Sequence, residues 1–189
     1  MIIAIIFDCF GVIINDALES FLNQREMTPE VREEVIGLIN AANRGQISTE
    51  DFRKNLANKL DMEFDDYMQI ISRKETKNIE LLEYIKTLKS KYKLAMLSNV
   101  SSVQSLNSRF NEGELTDLFD VVVPSGQIGF AKPEAQAYEI TAEKLGVSLS
   151  ECLMIDDREE YCLGAIGVGM KAIQYKNNQD LKTELAKIL

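Results

Sequence analysis

Asp8 interrupts the apolar opening MIIAIIFDCFGVII, and a carboxylate set in such a run needs a cation or hydrogen-bond donors to stay charged. Other polar groups stand behind further apolar runs: Ser98 and Asn99 after LAML, Lys132 after FDVVV and an eight-residue loop, and Asp156 with Asp157 after CLMI. Each alone has a plainer role, as a helix cap, a turn or a solvated loop. Together, a nucleophile-grade carboxylate, a hydroxyl with an amide, one ammonium and an acidic pair can hold a hard dication such as Mg²⁺ and a phosphate group. Histidine is absent. That removes Ser-His-Asp triads, His-paired cysteines and HExxH metal sites, and leaves carboxylates and lysine to do the chemistry.

These residues need a scaffold that brings strand ends together. The stretches MIIAIIF, YKLAMLS (92–98), FDVVV (119–123), CLMID (152–156) and MKAIQY (170–175) are short continuous apolar runs, which suit parallel strands covered on both faces. Between them, Leu81, Ile85 and Leu88 follow helical spacing, as do Tyr138, Ala142 and Leu145, with Pro133 expected in the first turn of that second helix and Gly146 as its C-cap. Alternating strands and helices predict an α/β fold, a doubly wound parallel sheet, and in such a sheet ligands bind at the carboxyl ends of the strands. Those ends are where the polar groups stand.

Residues 16–76 break the alternation. TPEVREEVIGLINAAN, STEDFRKNLANKL and EFDDYMQIISR read as helices, with Ser48 or Thr49 opening the second of them. The expected organisation is therefore an α/β core from 1–15 and 77–189 with a helical insertion at 16–76. NNQDLKTELAKIL predicts a surface helix, and Glu33, Glu34, Asp65 and Asp66 a solvated surface of the insertion.

Composition sets the remaining bounds. A chain of 189 residues, 46% hydrophobic, can bury a core of this size. No apolar stretch approaches the roughly 18 uncharged residues of a membrane span, and the N-terminus lacks the basic region and small-residue cleavage site of a secretory signal, so a cytoplasmic location without a membrane partner is expected. A net charge of −9 argues against nucleic acid, and it means that any phosphate site must carry local positive groups or a metal. Cys9, Cys152 and Cys162 are expected to be reduced packing residues, with Cys9 facing the core. A homodimer is left open.

In order and spacing, FDCFGV, MLSN, KPEAQAY and IDDREE resemble the motifs of the haloacid dehalogenase-like hydrolase superfamily. The insertion, with RGQISTEDFRKNL, is similar to the small helical cap of the subgroup that includes bacterial sugar-phosphate phosphatases and the dehalogenases. The resemblance implies a Rossmann-like core in which Asp8 is the nucleophile, forming an aspartyl-phosphate that water then hydrolyses. It implies Mg²⁺ held by Asp8, the backbone carbonyl of Phe10 and Asp157, with Asp156 as a ligand, a water holder or a partner of lysine. Ser98 and the Asn99 backbone N–H would grip phosphoryl oxygens, and Lys132 would pair with Asp8 and the phosphate. The implied substrate is a small phosphorylated metabolite, with a sugar phosphate favoured.

Phe10 departs from that pattern, because phosphatases of the family usually carry a second Asp there as general acid and base. Three readings follow. One is a phosphatase whose substrates have good leaving groups, such as sugar 1-phosphates, or in which Asp16 or a cap carboxylate substitutes. The second is a metal-independent 2-haloacid dehalogenase, for which Arg25, Arg32 and Arg44 are the candidate substrate-binding arginines and against which the Asp156–Asp157 pair counts. The third is a binding protein that keeps the fold without useful turnover. Asp in place of Phe10 is expected to raise or broaden phosphatase activity. Tyr161 also stands where the family often has Asn.

Overall fold

The apolar opening run forms β1 (Ala4–Phe7), every residue of it buried, at the centre of a five-stranded parallel sheet. The others are β2 (Lys93–Ser98), β3 (Val121–Pro124), β4 (Cys152–Asp156) and β5 (Lys171–Gln174), in the order β3-β2-β1-β4-β5. The computed structural model describes all residues from 1 to 189.

Side-chain alternation along each strand splits the core in two. Ala4, Ile6, Ala95, Leu97, Cys152 and Met154 face one apolar layer, and Ile5, Phe7, Leu94, Met96, Leu153 and Ile155 face the other. Helices cover both. α1 (Ala17–Asn23), α2 (Pro29–Asn43), α3 (Thr49–Lys59) and α4 (Phe64–Lys74) follow β1, and α5 (Ile79–Leu88) leads into β2. α6 (Val103–Asn107) and α7 (Glu114–Leu118) lie between β2 and β3, and α8 (Ser125–Ile128) and α9 (Ala135–Leu145) between β3 and β4. α10 (Glu159–Gly167) joins β4 to β5, and α11 (Asn178–Ile188) follows β5. α9 and α10 pack on the first layer through Tyr138, Ala142, Leu145 and Ala165. α5 and α11 pack on the second through Leu81, Ile85, Leu88, Leu181 and Leu185.

The four helices after β1 gather an apolar cluster of their own, from Phe21 and Leu22 through Val35, Leu56 and Leu60 to Tyr67 and Ile71. Their ends are set locally. Thr28 caps α2 with Pro29 in its first turn, and the Ser48 hydroxyl accepts from the Asp51 N–H at the start of α3. The chain enters and leaves this cluster along two adjacent segments, joined where Asn15 N–H donates to the Thr76 carbonyl at 3.1 Å and Asn78 N–H to the Ile13 carbonyl at 2.8 Å. None of the helices is long and apolar enough to cross a membrane.

Two local expectations are corrected. Pro133 is not in the first turn of α9: the helix begins at Ala135 with Glu134 as its N-cap, because residues 131–134 form a turn of their own, closed by Glu134 N–H donating to the Ala131 carbonyl at 2.8 Å. β3 begins at Val121, not at Phe119, because the Asp120 carboxylate accepts the Leu94 N–H at 2.8 Å in place of a strand carbonyl. The sequence pattern does not announce helices α1, α6, α7, α8 and α10, and three of them, of four or five residues, are too short to show a period. The three cysteines are free and buried, and Cys9 packs in the second apolar layer.

Candidate active site

Phe7 pairs in register with Met96 on one side and Ile155 on the other, so Asp8 and Asp156 leave the sheet beside each other. Asp8 N–H still donates to the Ile155 carbonyl at 2.9 Å, which holds the carboxylate at the sheet edge instead of releasing it into a loop. Lys132 is positioned by a different device. The Asn99 side chain accepts from Lys132 N–H and donates to the Lys132 carbonyl, both at 2.9 Å, and so clasps the main chain of the 131–134 turn. From there Lys132 Nζ donates to Asp8 Oδ1 at 2.6 Å and to Asp156 Oδ2 at 2.5 Å, with no part of its side chain exposed.

Asp157 follows Asp156 out of β4, and carboxylate oxygens of Asp8, Asp156 and Asp157 all lie within 4.8 Å of one another. Gly11 permits this approach: its φ is +94°, and a Cβ there would come within 2.3 Å of Asp157 Oδ2. Only two buried side-chain oxygens in the molecule lack a hydrogen-bond partner, and both are here, Ser98 Oγ and Asp157 Oδ1. The Asn99 backbone N–H likewise has no acceptor. Of the residues singled out in the sequence, Asp8, Ser98, Asn99, Lys132, Asp156 and Asp157 are thus brought to one edge of the sheet, and Phe10 lines the cavity above it.

Charge at this edge is unbalanced, with three carboxylates around one ammonium. Burial pushes Asp8 up to about 7, with Lys132 pulling it down and Asp156 adding to the rise. Burial and then Asp156 push Asp157 up to about 6. Burial alone would lower Lys132, but Asp8 and Asp156 outweigh it and hold the ammonium above its ordinary value. Oxygen ligands with surplus negative charge and an unpaired buried oxygen are what a hard dication satisfies, so the residues present fit Mg²⁺.

A cavity of about 280 Å³ opens above the sheet edge, between it and helices α1 to α4. Its walls include Leu22, Ile39 and Phe52, and Arg32, Arg53, Arg109 and Arg158 reach it. Arg109 grips both oxygens of Glu75, at 2.9 and 2.6 Å, and lies over the Phe10 ring. Arg158 donates to Glu19 at 2.6 Å and lies 3.7 Å from Asp16. The Tyr161 hydroxyl accepts from the Asn99 amide at 3.3 Å, and its ring faces Lys132. Of the arginines singled out for a dehalogenase, Arg25 bonds the Leu60 carbonyl and Arg44 pairs with Glu134, away from the cavity. Arg53, Arg109 and Arg158 went unread in the sequence. For Arg53 a signal was available, since it falls on the same helical stripe as the buried Ala57 and Leu60.

The profile of one family, the haloacid dehalogenase-like hydrolases, matches residues 2–169. Two relatives are similar over shorter stretches. The phosphatase MT3486 of Mycobacterium tuberculosis is 44% identical over 80 residues, 42% of this chain and 37% of that protein. The glyceraldehyde 3-phosphate phosphatase of Methanothermobacter thermautotrophicus is 33% identical over 88 residues, 46% of this chain and 38% of that protein. The matched stretches thus span little more than a third of either relative's length. Among solved structures, the HAD family enzyme bt-2542 of Bacteroides thetaiotaomicron, crystallised with magnesium and inorganic phosphate, superposes with a TM-score of 0.74 at 21% identity, covering 93% of this chain and 95% of that one. A profile match over nearly the whole chain, on a parallel sheet of this order, shows that the protein belongs to the haloacid dehalogenase-like hydrolase family.

Proposed function

We propose that the protein is a Mg²⁺-dependent phosphomonoesterase that acts on a small phosphorylated metabolite, a sugar phosphate being favoured, through an aspartyl-phosphate on Asp8. The observation that carries this reading is the pair of unpartnered buried oxygens, Ser98 Oγ and Asp157 Oδ1, on either side of Asp8. A buried polar atom without a partner is costly, and a phosphoryl oxygen at Ser98 and a cation at Asp157 would remove both costs. The phosphatase names of the two relatives and the magnesium and phosphate of the solved neighbour point the same way.

In this reading Asp8, Asp157 and the Phe10 backbone carbonyl hold Mg²⁺, with Asp156 beside them and bonded to Lys132. The metal supplies positive charge beside the transferring phosphoryl group. Ser98 Oγ and the Asn99 N–H donate to phosphoryl oxygens. One Asp8 oxygen attacks phosphorus, the bond to the ester oxygen breaks, and the leaving oxygen takes a proton. Water then attacks the aspartyl-phosphate, which releases inorganic phosphate and returns the carboxylate. Lys132 stabilises the negative charge at each stage.

The proton donor cannot be Phe10. Besides Asp8, the carboxyl groups on the cavity wall are Asp16, Glu19 and Glu75. Glu19 is held by Arg158 and Glu75 by Arg109, while burial raises Asp16 above its ordinary value against the Glu19 N–H and Arg158. We assign the donor role to Asp16. Residues 1–15 and 77–189 are then the catalytic core and 16–76 the cap that closes over it, a division supported by the separate apolar cluster of α1 to α4.

Hydrolysis of p-nitrophenyl phosphate, measured with Mg²⁺ and again with EDTA, tests the reading. Metal-dependent release of phosphate is expected. Chloride release from 2-chloropropionate without metal would instead establish a dehalogenase, and silence in both assays would leave a binding protein.

A further inference from the structure

Two of the four arginines at the cavity are paired, Arg109 with Glu75 and Arg158 with Glu19. Arg32 and Arg53 have no carboxylate partner, and Arg32 is exposed to solvent. Arg53 is the less exposed of the two. It projects from α3 into the cavity wall, half-buried, and makes neither a hydrogen bond nor an ion pair. The charged and titratable groups around it are the Arg109 guanidinium, the Tyr67 hydroxyl and Glu75, and the last of these already has both oxygens on Arg109. Burial, and after it Arg109, therefore press against the charge on Arg53. The guanidinium keeps its proton, so it stands as a charged group at the cavity wall with no anion bound to it.

The position of Arg53 fixes where that anion belongs. At the start of α3 the Thr49 hydroxyl touches the Ser101 hydroxyl, which ties the helix to the loop that follows Ser98. Arg53 stands four residues further, about 6 Å along the helix axis. The transferring phosphoryl group already has Ser98, the Asn99 N–H and Lys132 at the sheet edge, so Arg53, on the helical side of the same cavity, is left for a different anionic group. The same cavity wall includes the apolar Phe52, Leu22 and Ile71.

We propose that Arg53 anchors a second anionic group, so that the cavity selects phosphomonoesters that carry a carboxylate or another phosphate a few carbons from the ester. This rests on the phosphatase reading of the same cavity and narrows its substrate class. A planar guanidinium without a protein partner offers two parallel N–H donors, the arrangement that grips a carboxylate or phosphate most firmly.

Matched esters test it. 3-(Phosphonooxy)propanoate, propane-1,3-diyl bisphosphate and propyl phosphate share one carbon chain and differ only in the far group. With Mg²⁺ present, the protein is expected to show kcat/KM at least tenfold higher for one or both of the charged esters than for propyl phosphate, and the two arms tell a carboxylate from a phosphate. In Arg53→Gln that ratio is expected to fall below twofold through KM, and Arg53→Lys to retain part of it. Equal kcat/KM for all three esters overturns the Arg53 assignment while leaving the phosphatase reading intact. Absence of any Mg²⁺-dependent turnover overturns the phosphatase reading, and calorimetric binding of the same esters to the unmodified protein then decides for Arg53. At least tenfold tighter binding of a charged ester supports it, whereas equal affinities, or no binding of any, overturn it. The ratio in the unmodified protein requires no variant to fold.

Discussion

Asp8 shares Lys132 with Asp156, and that sharing sets what a substitution at position 8 does. Asp8→Asn keeps the shape of the side chain and leaves Lys132 paired with Asp156, so no buried charge is orphaned. Turnover is expected to fall below detection while the thermal midpoint is unchanged or rises, read by a phosphate-release assay and a melting curve. Retained turnover would remove Asp8 as nucleophile. Asp16→Asn preserves the cap on α1, because an amide oxygen also accepts the Glu19 N–H, but it deletes the proposed proton donor. Its kcat is expected to drop by about 10² on alkyl phosphates and far less on p-nitrophenyl phosphate, whose leaving group needs no proton. At Phe10 the structure tempers what the sequence suggested. The Arg109 guanidinium carbon lies 5.1 Å from the ring centre, so a carboxylate introduced there would pair with Arg109 and stay ionised. Phe10→Asp is expected to raise kcat less than tenfold, well short of the roughly 10²–10⁴ of a placed general acid.

At the scale of elements, the site depends on turns more than on strands. β1 and β4 end side by side, but the approach of Asp157 to Asp8 requires the open space at Gly11, whose φ of +94° also excludes most side chains. Gly11→Ala forces the 9–14 loop or Asp157 aside. The Mg²⁺ concentration for half-maximal activity is expected to rise at least tenfold, measured by metal titration; an unchanged value would place the cation away from Asp157. The 131–134 turn has an equivalent role for Lys132, held by Asn99 and closed by Glu134. That arrangement is why Lys-Pro-Glu precedes α9 and does not begin it.

For the whole molecule, the surplus of carboxylates at the sheet edge makes the folded state a better home for Mg²⁺ than the unfolded chain. Ligand linkage then predicts a gain of about 2.7 kcal/mol at a hundredfold excess over Kd, or roughly 5–10 °C in Tm for a chain of this size. Scanning calorimetry with Mg²⁺ and with EDTA reads this without any substrate. A Tm indifferent to both would show that the three carboxylates hold no metal. The apolar cluster of α1 to α4 is separate from the two layers on the sheet, and these helices line the cavity across from the sheet edge.

The parallel sheet was legible in the sequence because a strand buried on both faces writes itself as a short apolar run, and such runs end where Asp8, Ser98 and Asp156 stand. With all strands parallel, those ends share one edge, so the gathering of these residues followed from local pattern. Tertiary structure alone decided the rest. The Asn99 side chain clasps the Lys132 main chain, Arg109 covers Phe10, and Arg53 is left without a partner. Those outcomes depend on how helices distant in the chain dock over the sheet edge and which way their long side chains turn. Packing between remote segments settles both, and the order of residues along a single helix does not carry that information.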